Sequence, residues 1–137
     1  MTARATLWAT VTALAASAPA AAGEGGLFGK RVAPILEERC VVCHSGKAPK
    51  GGLSLTTVAG LRAGSENGPV VVAGKPEQSL LIRMVSGAKP KMPRKGPKLT
   101  AGEVAILRKW IEEGAKWPQG TTLAARKTEA TWWPAKN

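Results

Sequence analysis

The chain has 137 residues, twenty Lys and Arg against nine acidic residues, and a net charge of +11. That length holds one domain with a leader or a tail, and excludes two full cores. The charge fits nucleic acid, an anionic membrane or an acidic protein partner.

Arg4, the uncharged apolar run "LWATVTALAASA" and the small residues Ala20 and Ala22 follow the order of a secretory signal peptide. Residues 1–22 are therefore expected to be removed, which places the protein in the periplasm or otherwise outside the cytoplasm. The alternative is an uncleaved N-terminal membrane anchor. Against it, the run is rich in Ala and Thr and is followed by Pro19, whereas a span needs about 20 strongly apolar residues. Export argues against nucleic acid. An acidic redox partner, or peripheral association with an anionic membrane, remains for a mature chain whose acidic residues are all Glu.

In the mature chain, Leu27, Phe28, Val32, Ile35 and Leu36 form one apolar stripe at helical spacing, predicting a helix over about 27–40. Pro34 interrupts it, so the helix either starts near Ala33 or kinks there. "SGKAPKGGLSLTT" is a loop, "TVAGLRAG" holds a short helical turn, and "SENGPVVVAGKP" is an extended loop or a very short strand. "KPEQSLLIRMVSG" reads as a helix begun by Pro76 and stopped by Gly87. After the proline-laced basic loop "AKPKMPRKGPK" comes the strongest helix. Thr100 caps it, Glu103 completes a capping box, and Val104, Leu107, Trp110 and Ile111 form its buried face up to Gly114. Residues 23–117 are the expected domain. Residues 118–137 carry no stripe and read as a C-terminal tail, part of it disordered. So much loop around short helices calls for a staple.

The staple is written in "RCVVCHS". Both cysteines and the only histidine of the chain fall within positions 40–44. Zinc needs four ligands, and here there are three, with Cys43 and His44 adjacent. A disulfide over two intervening residues closes a tiny loop and stabilises little, and no strand precedes Cys40 as a thioredoxin-like motif requires. Covalent haem attachment uses all three residues: two thiols for two vinyl groups and the next histidine for the iron. On the opposite side of the iron, Met92 is the preferred ligand, because Pro90 and Pro93 restrict its loop. Met84, an open position, or a lysine of the same loop are the alternatives; Met84 reads most simply as core filler.

"VAPILEERCVVCHSG", "GGLSLTTVAGLRAGSENGPVVVAGKPEQSLL" and "KMPRKGPKLTAGEVAILRKWIEEGAKWP" together resemble the planctomycete-type cytochrome c domain over residues 27–118. The resemblance implies an all-α, class I cytochrome c-like fold, with short helices and long loops wrapped around one covalently bound haem c. It implies Cys40 and Cys43 as thioether anchors, His44 as proximal iron ligand and Met92 as distal ligand. Relatives usually carry "MPP" where this chain has "MPR", and "TWWPAK" resembles the entry to a further domain in longer relatives.

The expected function is that of a single-haem exported electron carrier cycling Fe(II)/Fe(III) with His/Met ligation. Lys89, Lys91, Arg94, Lys95 and Lys98 surround Met92 and would steer an acidic partner to it, or else simply form a solvated loop. The alternative is a haem-based sensor with an open or displaceable distal position. An enzyme such as a peroxidase is disfavoured, since no second histidine is available for acid–base work.

Overall fold

Pro34 decides how the first helix begins. The computed structural model describes residues 26–126, and its helical path opens with one π-turn, Phe28–Val32, that runs straight into helix α1, Ala33–Arg39. Proline has no N–H, and its ring collides with the carbonyl one α-turn back. The π-turn widens that turn: the Ala33 N–H reaches the Phe28 carbonyl, and Pro34 falls in the first turn of α1. The helix is widened at the proline rather than broken there.

Three further helices follow: α2, Val58–Ala63; α3, Leu80–Val85; and α4, Ala101–Glu112. Among the described residues there is no strand, only an isolated antiparallel bridge between Ser65 and Gly68. The fold is all-α, and "SENGPVVVAGKP" is an extended loop. Helix α4 matches its sequence signals closely. The Thr100 side chain accepts the Glu103 N–H at 3.2 Å while the Glu103 carboxylate accepts the Thr100 N–H at 2.8 Å. Leu107, Trp110 and Ile111 are buried, and Val104 is partly so.

The helix expected from Pro76 is shorter than its pattern. A 3₁₀ turn, Pro76–Gln78, is separated from α3 by Ser79, whose backbone is extended. Ser79 is completely buried, and its hydroxyl does two jobs. It accepts the Val72 N–H at 2.9 Å and donates to the Lys75 carbonyl at 2.9 Å. Those bonds tie the valine loop to the start of α3, where the extended backbone of Ser79 interrupts the helical path. The Gly74 N–H then docks on the Ile111 carbonyl of α4 at 2.7 Å.

Aromatic rings join the two ends of the body. Phe28 lies 5.9 Å from Trp110 and 4.5 Å from Trp117, both tilted, the arrangement aromatic pairs prefer over face-to-face stacking. Each indole N–H finds a carbonyl: Trp110 at Lys116 and Trp117 at Thr121.

Beyond Trp117 the chain stays on the body as far as Arg126. Leu123 is buried and its N–H donates to the Thr56 carbonyl at 2.7 Å. The Arg126 N–H donates to the Glu37 carbonyl at 3.1 Å, and its side chain pairs with the Glu37 carboxylate. The start of the segment read as a tail is thus a seated strap, held by backbone bonds that leave no periodic mark. The expected leader and the Trp132–Trp133 pair lie outside the described residues.

Two substitutions test these anchors. Ser79→Ala should lower unfolding free energy by about 1–3 kcal/mol, because it strands the Val72 N–H without a partner. Leu123→Ala should lower it by about 2–5 kcal/mol, as for other buried leucines. Chemical denaturation followed by tryptophan fluorescence measures both, and a midpoint unchanged in Leu123→Ala would mean that the strap is not seated.

Candidate functional site

Helix α1 delivers the cysteines to the site. Its last turn closes with the Cys40 and Val41 N–H groups both on the Leu36 carbonyl at 2.9 Å. The next turn is α-like: the His44 N–H donates to the Cys40 carbonyl at 3.0 Å. Residues four apart on such a turn share a face. Cys40 and His44 accordingly line the same cavity, together with Leu53, Leu55, Leu81 and Val85. Cys43 is exposed, one position off that face.

The cavity encloses ≈ 590 Å³ counting its open mouth. Its lining is overwhelmingly apolar. Met84 and Met92 both reach it, and the Met92 N–H donates to the Met84 carbonyl at 2.8 Å, fastening the basic loop to α3. Met84 therefore does more than fill the core. Leu80, Leu81, Met84 and Val85 follow helical spacing, so the stripe is visible in the sequence, but not the empty space it faces. Polar side chains reach the lining at Ser65 and Asn67, on the loop after α2.

His44 is held by one hydrogen bond with a clear consequence. Its Nδ1 lies 2.9 Å from the Lys50 carbonyl oxygen. A carbonyl only accepts, so Nδ1 carries a proton; in the neutral ring this leaves the lone pair on Nε2, the tautomer that can bind a metal. The Lys50 carbonyl comes from a 3₁₀ turn, Lys50–Gly52, in which Gly51 and Gly52 have φ of 66° and 68°. Side chains rarely adopt that conformation, which accounts for "GG" at this point. The His44 carbonyl in turn accepts the Leu55 N–H at 2.8 Å, so the segment that lines one wall also fixes the backbone of the motif.

Burial pushes the Cys40 thiol up to about 12, which keeps it protonated and uncharged in its apolar surroundings. A thioether at the same place would carry no charge at any pH. No group of three His, Cys, Asp or Glu side chains is gathered as a metal cluster among the described residues, as a zinc site would require.

A family model described as Planctomycete cytochrome C matches residues 40–96. Over those residues the chain matches the planctomycete-type cytochrome c domain. Its matched region begins at Cys40 and ends just past Met92, so it spans the motif, the "GG" turn, the Ser79 junction and the loop of the second methionine. A domain of this cytochrome family implies haem c as the cofactor, and the cavity fits such a group on three counts: it is apolar, a thiol is part of its wall, and an imidazole nitrogen is free beside it. Neither the curated proteins nor the solved structures gave a match to the chain.

Proposed function

We propose that the protein is a single-haem, class I-type cytochrome c that carries electrons outside the cytoplasm. The observation that supports this reading best is the convergence of Cys40, His44 and Met92 on one apolar cavity. Cys40 and Cys43 would hold the haem as thioethers, each S–H adding across one vinyl double bond, which consumes no oxidant. His44 Nε2 and the Met92 thioether would supply the two protein ligands to the iron. When bound, haem supplies a one-electron Fe(II)/Fe(III) couple, and a His/Met pair raises its potential.

The protein's own residues do the rest. Leu53, Leu55, Leu81 and Val85 keep water from the cavity, and a low dielectric disfavours the more highly charged oxidised state. The Lys50 carbonyl opposes that trend by making the imidazole a stronger donor. Lys89, Lys91, Arg94, Lys95 and Lys98 are all exposed on the loop that brings Met92 to the cavity. Lys98 donates back to the Pro93 carbonyl, while the other four form no ion pair among the described residues. Such a patch beside the redox site would attract an acidic docking surface and raise the association rate. It also suits loose contact with an anionic membrane.

Two measurements test this reading. Met92→Ala should abolish the low-spin spectrum and let the reduced protein bind carbon monoxide readily, whereas Met84→Ala should leave both properties near those of the parent. Tight carbon monoxide binding by the parent would instead favour a sensor with a displaceable ligand. Second, electron transfer to an acidic partner should slow with added salt, and reversing Lys91, Arg94 and Lys95 to Glu should slow it at least about tenfold at low ionic strength and flatten that dependence. A rate indifferent to both changes would remove the basic loop from docking.

A further inference from the structure

The bond that orients His44 is itself supported from outside the motif. The Glu66 N–H donates to the Gly51 carbonyl at 3.0 Å. Glu66 sits in a turn closed by its own bonds: the Ser65 N–H donates to the Gly68 carbonyl at 3.0 Å, and the Gly68 N–H to the Ser65 carbonyl at 2.9 Å. The Ser65 hydroxyl adds a bond to the Gly68 carbonyl at 3.2 Å and accepts the Asn67 N–H at 3.2 Å. So many bonds within so short a segment make this turn stiff. It leans on the "GG" turn by packing as well, since a Cβ on Gly52 would stand 3.1 Å from the Glu66 Cγ. Ser65 and Asn67 also line the cavity wall, so the turn touches the site directly.

We infer that the Ser65–Gly68 turn, through the Glu66 backbone N–H, is a positioning element that sets the strength of the His44 Nδ1–H bond and thereby tunes the reduction potential of the proposed haem. Within its own turn the Lys50 carbonyl is held by one long bond, from the Leu53 N–H at 3.4 Å. It belongs to a three-residue 3₁₀ turn with two glycines at positive φ, a segment with many alternative conformations. Its N-terminal side is held by the Lys50 N–H on the Cys43 carbonyl at 3.0 Å. On its C-terminal side the Gly51 carbonyl is held by Glu66. Between these two anchors the Lys50 peptide plane stays aimed at His44. A bond donated by Nδ1–H makes imidazole more basic and favours the oxidised iron, so release of this anchor should raise the potential.

The inference rests on the haem reading, and the experiment separates the two. Full-length protein is matured with haem, and attachment is checked by haem staining of a denaturing gel; absence of stain overturns the haem reading itself. On stained protein, the midpoint potential and the exchange rate of the His44 Nδ1 proton in the reduced state are measured. Glu66→Pro, which removes the N–H, should shift the Fe(III)/Fe(II) ratio at fixed potential about tenfold toward Fe(II), or ~59 mV upward, and speed proton exchange. Glu66→Ala keeps the N–H and should leave both values as in the parent. If Glu66→Pro fails to fold, Gly52→Ala serves instead, since its methyl group strains the φ of 68° and presses on Glu66. Parental potential and exchange in the folded, haem-bearing Glu66→Pro or Gly52→Ala protein would overturn the inference. So would a shift in Glu66→Ala equal to that in Glu66→Pro, because the carboxylate charge would then be responsible.

Discussion

An apolar cavity walled by the core of a small body is the constraint on which this structure turns. About a hundred residues in four short helices and long loops bury little apolar surface of their own. Here Leu53, Leu55, Leu81 and Val85 belong to the buried core and, with the two methionines, also wall a space. Close-packed interiors rarely tolerate such a gap, since each lining atom forgoes its partners on one side. A large, flat, apolar cofactor resolves the difficulty: on the proposed reading the haem completes the core, and attachment to Cys40 and Cys43 keeps it there.

The rest of the chain can be read as the means of holding that space open in one shape. The Phe28, Trp110 and Trp117 rings join the start of the first helical path to the last helix, while the motif lies at the other end of α1. Ser79 fastens the valine loop to α3, which supplies one wall. The strap through Leu123 and Arg126 ties the segment after the "GG" turn to α1, so both backbone elements that flank His44 are bonded to the same stretch of chain. Glu37 is the hub of that contact: its carboxylate and its carbonyl both hold the strap. Charge is distributed differently. The positive excess lies on exposed loops, above all around Met92, where it costs little in solvation.

Much of this is legible in the sequence where the signal is local. The capping box of α4 needs only Thr100 and Glu103 three positions apart, and its buried face follows a plain period of 3.6. The motif at positions 40–44 and the methionine between prolines point to one cofactor by residue type and spacing alone, and the cavity brings Cys40, His44 and Met92 together. What escapes such a reading depends on partners distant in sequence. Pro34 offers a choice between a late start and a kink; the α-helix does start at Ala33, and only the π-turn before it goes unannounced. Ser79 looks like an ordinary helix residue, because nothing nearby announces that its hydroxyl will be claimed by Val72 and Lys75. Leu123 lies in a segment without periodicity, and its burial goes with backbone bonds from the strap to Thr56 and Glu37. Met84 has the right spacing for a core residue, yet which surface it faces is a matter of tertiary geometry alone.

Everything proposed for the site requires a cofactor joined to the chain by both cysteines. Intact-mass spectrometry of the protein exported by a host competent in cytochrome maturation, after unfolding and treatment with a thiol alkylator, measures that directly. The predicted result is a single species, heavier than the mature polypeptide by one haem and carrying no alkyl groups. A mass equal to the polypeptide plus two alkyl groups would contradict it.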